Sequence, residues 1–170
     1  MKRRDLGALP STFAAAVAEV GDAWTLLIVK ELILGTSRFD GFIAQTGIAE
    51  SSLAQRLKRM EQTGLITRRA YQTKPVRYEY ALTPKGDGLA PTLITLMKWG
   101  DRFLTDGTPP CTYECLECGN DPQPDPLACT HCGTEITGRT TKPILSETAL
   151  AARAQRTEDF QKKKSERSTA

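Results

Sequence analysis

Residues 50–64 read ESSLAQRLKRMEQTG, and this stretch decides the fold. Projected at about 100° per residue, Leu53, Leu57 and Met60 fall in one narrow arc, while Ser51, Gln55, Lys58 and Gln62 point nearly opposite, flanked by Ser52 and Arg59. The pattern predicts a helix from about Glu50 to Thr63 with Gly64 as its stop. One thin stripe is buried and the outward face carries hydrogen-bonding and cationic groups. Such a face suits the DNA major groove, where base edges are read by donors and acceptors. The plainer reading of the same face is a solvated surface.

Downstream, Leu65–Tyr71 reads as a strand and Gln72–Pro75 as a turn. Val76–Leu82 is a second strand, alternating Val76, Tyr78, Tyr80 and Leu82 against Arg77, Glu79 and Ala81. Upstream, Ser11 is placed to cap a short helix ending near Val20, and Gly21-Asp22 break the chain. Apolar residues surround the stretch Trp24–Leu34 on most sides, which predicts the central buried helix, closed by Gly35. Phe39–Gln45 predicts a short helix with Phe39, Phe42 and Ile43 inward, ended by Thr46-Gly47. Three helices, a reading helix among them, followed by a hairpin make a winged helix-turn-helix: mainly α with a small β-hairpin wing. Thr83-Pro84 then start a long helix expected to run to about Leu104. Its stripe of Leu89, Leu93, Leu96, Met97, Phe103 and Leu104 is wide for a helix outside a compact domain. Part of it is read as a subunit interface, the alternative being packing within its own domain.

The segment from about Ser11 to Leu104 resembles the HxlR family of winged-helix regulators, relatives of the MarR group. The resemblance is carried by Val20-Gly21-Asp22-Ala23-Trp24-Thr25-Leu26-Leu27-Ile28, Gly35-Thr36-Ser37-Arg38-Phe39 and Leu53-Ala54-Gln55-Arg56-Leu57. It continues in Glu61-Gln62-Thr63-Gly64-Leu65-Ile66, Arg77-Tyr78-Glu79-Tyr80-Ala81-Leu82-Thr83 and Trp99-Gly100. It implies a transcriptional regulator that binds a palindromic double-stranded DNA operator as a homodimer built from the first and last helices of the domain. Several redox-sensing members carry a cysteine near the start of the first helix. The corresponding residue is Ser11, which argues against the family's usual thiol switch in this chain.

The DNA-contacting set expected from the sequence is Ser51, Ser52, Gln55, Arg56, Lys58, Arg59, Lys74 and Arg77. Gln55 suits adenine, and Lys58 or Arg59 suits guanine. Lys74 and Arg77 flank the wing turn and suit the backbone or the minor groove. Arg56 lies nearer the buried face, where a structural ion pair is the competing role. Between Glu50 and Arg77 the cations are Arg56, Lys58, Arg59, Arg68, Arg69, Lys74 and Arg77, against only Glu50 and Glu61.

Charge divides the chain into three expected parts. Residues 1–107, the DNA-binding and dimerisation domain, carry 15 Lys+Arg against 11 Asp+Glu (+4); residues 108–140 carry 1 against 5 (−4); and the tail, 141–170, carries 7 against 4 (+3). All five cysteines lie between Cys111 and Cys132. Cys115-Leu116-Glu117-Cys118-Gly119 and Cys129-Thr130-His131-Cys132-Gly133 are two CxxC knuckles, each followed by glycine and separated by ten residues. Two residues between thiolates let both sulfurs reach one ion, so Cys115, Cys118, Cys129 and Cys132 predict a tetrahedral zinc-ribbon module with one Zn2+ per chain. Few apolar residues, Tyr113, Leu116, Leu127 and Ile136, are available to fold it otherwise, while Pro122, Pro124 and Pro126 stiffen its loop. Redox sensing through the thiolates and contact with a partner are the functional alternatives to a structural ion. Cys111 is the odd thiol, read as a spare ligand, a resolving thiol or inert, and His131 as a weak substitute ligand.

The tail from Ser146 to Ala170 reads as a helix to Phe160 followed by basic Lys162, Lys163 and Lys164, or as a solvated, partly disordered end. No apolar run reaches the roughly 18 residues of a membrane span, and Met1-Lys2-Arg3-Arg4-Asp5 precedes no apolar stretch, so a cytoplasmic protein is expected. Enzymatic chemistry has no support: the one histidine sits inside a knuckle, and there is neither a Gly-rich phosphate loop nor a catalytic carboxylate pair. The competing function class is a winged-helix and ribbon module for protein interaction in the transcription machinery. Any small-molecule effector is left open.

Overall fold

The computed structural model describes residues 12–105, 108–122, 128–129 and 131–169. The expectations for Met1–Asp5, Ser11, Pro124, Pro126 and Leu127 lie outside the described residues. In chain order the elements are α1 (Thr12–Val20), α2 (Ala23–Ile33), α3 (Phe39–Thr46), α4 (Glu50–Gln62), β1 (Ile66–Thr73), β2 (Val76–Leu82), α5 (Pro84–Asp87), α6 (Ala90–Leu104), β3 (Cys111–Cys115), β4 (Thr141–Leu145) and α7 (Glu147–Thr169).

Local chemistry sets the boundaries of the winged helix. Asp22 caps α2 by accepting the Thr25 amide at 3.1 Å and the Thr25 hydroxyl at 2.5 Å. Gly47 takes a left-handed φ of 71° at the end of α3, and Gly64 does the same after α4. Between these stops Leu53, Leu57 and Met60 turn inward and join Ile28, Val29, Phe42, Ile48, Leu65, Ile66 and Leu93 in one buried cluster. β1 and β2 pair antiparallel from Ile66↔Leu82 to Thr73↔Val76, with an irregularity between Ala70 and Gln72. The turn is tighter than the sequence suggested, with Gln72 and Thr73 inside β1 and Lys74-Pro75 alone at the tip. The segment before α3 adds a third edge: the Tyr80 amide donates to the Ser37 carbonyl at 2.8 Å, and Arg38 bridges Glu79.

The expected long helix after Thr83 is divided. Thr83 accepts the Gly86 amide and caps α5, but the helix stops at Asp87 and restarts as α6. Pro91 is the physical reason: without an N–H it cannot donate to the Asp87 carbonyl, so the ladder is interrupted. Gly86 is required here, because a Cβ would lie 2.1 Å from the Leu65 carbonyl oxygen.

The remaining elements are built onto α2, α3 and α6. β3 and β4 pair antiparallel from Cys111↔Leu145 to Cys115↔Thr141. The ordered pair thus crosses position 140, where the charge tally changes sign, because summed charge does not register strand pairing. Cys111, Tyr113 and Ile136 pack with Ile94 in a second small cluster against Ile33, Leu34 and Met97. Leu116, an expected core residue, is half exposed. The tail forms one helix through Thr169 rather than stopping at Phe160, and it is docked. Arg153 of α7 donates to the buried Glu31 carboxylate at 3.0 and 3.3 Å and to the Thr36 hydroxyl at 3.0 Å. Gln45 donates to the Thr157 hydroxyl at 2.9 Å, and Lys164 pairs with Asp40. Because Gln45 meets the start of α7 and Asp40 its end, the two helices run antiparallel. No described helix is long and apolar enough to cross a membrane.

Candidate nucleic-acid interface and metal centre

α4 presents its polar face to solvent as its periodicity dictates. Ser51, Gln55 and Lys58 are exposed, and Ser52, Arg56 and Arg59 are half-buried. Two of the cations are partly engaged. Arg56 lies 3.3 Å from the Asp22 carboxylate, which is the structural pair weighed above, and Arg59 donates to the Ala18 carbonyl at 3.3 Å. Both contacts tie α4 to the α1–α2 corner and leave Ser51, Gln55 and Lys58 as the outermost groups. On the wing, Lys74 and Arg77 are exposed at the tip. Arg68 pairs with Glu61 at 3.1 Å and stacks on Tyr78 at 4.5 Å, and Arg69 donates from Nε to Glu79 at 2.9 Å. These partners engage the strand cations of the hairpin, while Lys74 and Arg77 stand exposed at its tip.

The four knuckle cysteines converge, with all four Sγ atoms within 4.8 Å of one another. Cys115 and Cys132 Sγ are 3.5 Å apart, and Cys118 and Cys129 Sγ 3.7 Å. A tetrahedral ion with Zn–S bonds of about 2.3 Å has sulfur–sulfur edges of about 3.8 Å, so the donor set and its spacing fit a Cys₄ zinc site. The two knuckles are built alike. The Gly119 amide donates to the Cys115 carbonyl and the Gly133 amide to the Cys129 carbonyl, each at 2.8 Å, with both glycines at left-handed φ of 70° and 74°. The Cys115 amide donates to the Asn120 carbonyl and the Cys129 amide to the Thr134 carbonyl, again at 2.8 Å. The Cys132 thiol lies 3.2 Å from the Thr134 hydroxyl, to which it donates, and the contacts with the Thr134 side chain and amide pull it down to about 6, toward the thiolate a metal requires.

Cys111 stands apart from the cluster. It is buried in β3 against Ile94, and burial pushes its thiol up, as expected of an inert core residue rather than a spare ligand. His131 is exposed and is not one of the clustered ligands. The sequence reading missed Glu31, which is 2% exposed in α2, and its partner Arg153. A lone acid within the apolar stretch Trp24–Leu34 was the available signal.

A family model described as HxlR-like helix-turn-helix matches residues 19–108. An uncharacterized HTH-type transcriptional regulator of Mycobacterium bovis is 40% identical over 130 residues, 75% of this chain and 81% of that protein. The HTH-type transcriptional regulator YodB of Bacillus subtilis is 33% identical over 102 residues, 59% of this chain and 90% of that protein. Among solved structures, PA1607 matches with a TM-score of 0.62 at 24% identity over 84% of this chain and 99% of that one, a likeness of fold alone. The redox regulator HypR in its reduced form matches with a TM-score of 0.51 at 27% identity over 55% of this chain and 96% of that one.

Proposed function

The chain belongs to the HxlR-like helix-turn-helix family and is a transcriptional regulator, and on that footing we propose that it acts as a homodimer on a palindromic operator, with a structural Zn2+ in each ribbon. The observation that carries the reading is the division of α4: Leu53, Leu57 and Met60 are buried, while Ser51, Gln55 and Lys58 stand outward beside a wing tipped by Lys74 and Arg77. Ser51, Ser52, Gln55, Lys58 and Arg59 read the major groove, and Lys74 and Arg77 hold the backbone. Arg56 acts through Asp22 to set the angle of α4.

Dimerisation is supported by an apolar face left uncovered on α6. Leu96, Trp99, Phe103 and Leu104 are 50%, 52%, 59% and 72% exposed, and Phe13 on α1 is 77% exposed. A two-fold pair would cover these residues and set two α4 helices about 34–36 Å apart, one turn of duplex.

The test is binding of the purified protein to its own upstream DNA across a salt series, with zinc measured on the same sample. Tight, sequence-dependent binding is expected, with a log–log salt slope near −5 if about six phosphates are neutralised. Binding indifferent to sequence would transfer the assignment to a protein-interaction module. A second reading, motivated by the likeness to the redox regulator HypR, gives the ribbon thiolates a sensing role. Replacing Cys115 and Cys118 with serine should then change operator affinity, and unchanged binding by a folded mutant dimer overturns that reading.

A further inference from the structure

We infer that the C-terminal helix α7 extends the DNA contact: with the wing and the start of α3 it walls a cationic cleft for the phosphate backbone flanking each half-site. The inference rests on the DNA-binding reading above and adds to it residues outside the segment that resembles the family.

The cleft, about 620 Å³, is walled by Arg38 at the start of α3, by Tyr71, Arg77 and Tyr78 of the wing, and by Gln161 and Lys164 of α7. Its one lining acid, Asp40, is paired with Lys164. Arg38 is exposed and stacks on Tyr71 at 4.5 Å, which holds a guanidinium at the rim. Cations and phenol hydroxyls together supply the donors that phosphate oxygens accept.

The residues of α7 are sorted in the same sense. On a helical projection five of the six cations from Arg153 onward, Arg153, Arg156, Lys163, Lys164 and Arg167, lie within an arc of about 100°, whereas Glu158 and Glu166 lie on the opposite half with Lys162, and Asp159 sits at its edge. The docking contacts orient that arc: Arg153 reaches Glu31 and Lys164 reaches Asp40, so the cationic side is held toward α3 and the wing. Arg153 is taken up by Glu31, but Arg156 to Arg167 spans about 16 Å of helix, enough to follow several phosphates of a backbone carrying one charge per roughly 1.7 Å of duplex. Lys163 and Arg167 are exposed and take no part in the docking contacts named above. DNA is the occupant these features fit, because it is a polyanion already placed beside the wing by Lys74 and Arg77.

The double variant Lys163→Gln/Arg167→Gln keeps Arg153 and Lys164, and with them the docking of α7. Its helical content and melting temperature should match the parent, which separates loss of contact from loss of fold. Each phosphate contact contributes about 0.9 to the salt slope, so the slope should become shallower by about 2 for each bound chain. The loss should be equal on operator and on unrelated duplex, because phosphate contacts carry no sequence information. A parent protein that binds its operator and a folded variant with an unchanged slope would overturn this inference and leave the regulator reading standing. Tighter binding by the variant would overturn it too, showing that α7 obstructs DNA. A parent that binds no DNA would remove the reading on which the inference rests.

Discussion

In the winged helix, Ile28, Val29, Phe42, Ile48, Leu53, Leu57, Met60, Leu65, Ile66 and Leu93 form one buried cluster shared by four helices and the root of the hairpin. Among the described residues of the ribbon, Cys111, Tyr113 and Ile136 reach a buried cluster, and that cluster depends on Ile94, contributed by α6. The first region is folded by the removal of apolar surface from water, a force distributed over many side chains. The second has too few such side chains, and its shape is specified by four sulfurs and two glycine knuckles. The two regions should therefore fail under different insults.

The largest difference is expected on metal removal. A strong chelator should release the proposed ion and unfold the knuckles, a loss of about 10–16 kcal/mol for a structural zinc site, while the winged helix keeps a cooperative melt. Zinc release followed with far-ultraviolet circular dichroism checks this. A single transition in which the helices collapse with the ribbon would show that the winged helix leans on the metal. The converse insult is Phe42→Ala, which empties a fully buried site where the ring meets Tyr80 edge-on at 6.2 Å. It should cost about 3–5 kcal/mol in urea unfolding and leave zinc content per chain unchanged.

What the sequence disclosed follows the same division. α4 was legible because its inward and outward residues differ chemically at helical period, and the Cys115 to Cys132 knuckles because ligand spacing is local. The tail was not legible as a docked element. Residues 146–170 have no apolar stripe, and what holds α7 is the pairing of Arg153 with Glu31, 122 positions away, which no local pattern encodes. The break between α5 and α6 was legible in principle, since Pro91 marks it. The pairing of Arg56 with Asp22, 34 positions away, was likewise beyond the reach of helical period alone.

The Arg153–Glu31 pair joins the two kinds of region, so its loss should have an intermediate effect. Glu31 is 2% exposed, and Lys30, 3.0 Å from its carboxylate, remains as a partial counter-ion in Arg153→Ala. The variant should lose about 1–3 kcal/mol, the cost of a buried charged acceptor deprived of its principal donor. Replacing both residues by Met should recover part of the loss, because no charge is then left buried. A double-mutant cycle on thermal unfolding reads the coupling directly.

The smallest effect is expected where α1 meets α5. Lys85 donates to Glu19 at 2.9 Å and to the Thr63 carbonyl at 2.7 Å. Burial opposes ionisation of Glu19, but the hydrogen bonds from Lys85 and Thr63 and the charge of Lys85 outweigh it and hold the carboxyl below the usual carboxylate range. A lowered folded pKa means that the unfolded chain binds the proton more readily. The pair's contribution is therefore fully present above the ordinary carboxylate pKa and fades as pH falls through the lower folded value. Because Lys85 is more than half exposed, solvent screening limits that contribution to a few tenths of a kcal/mol. Lys85→Ala should accordingly lower the melting temperature only slightly at neutral pH, and the difference from the parent should close on acidification. A difference that persists unchanged on acidification would mean that Lys85 stabilises the corner through the Thr63 carbonyl rather than through Glu19.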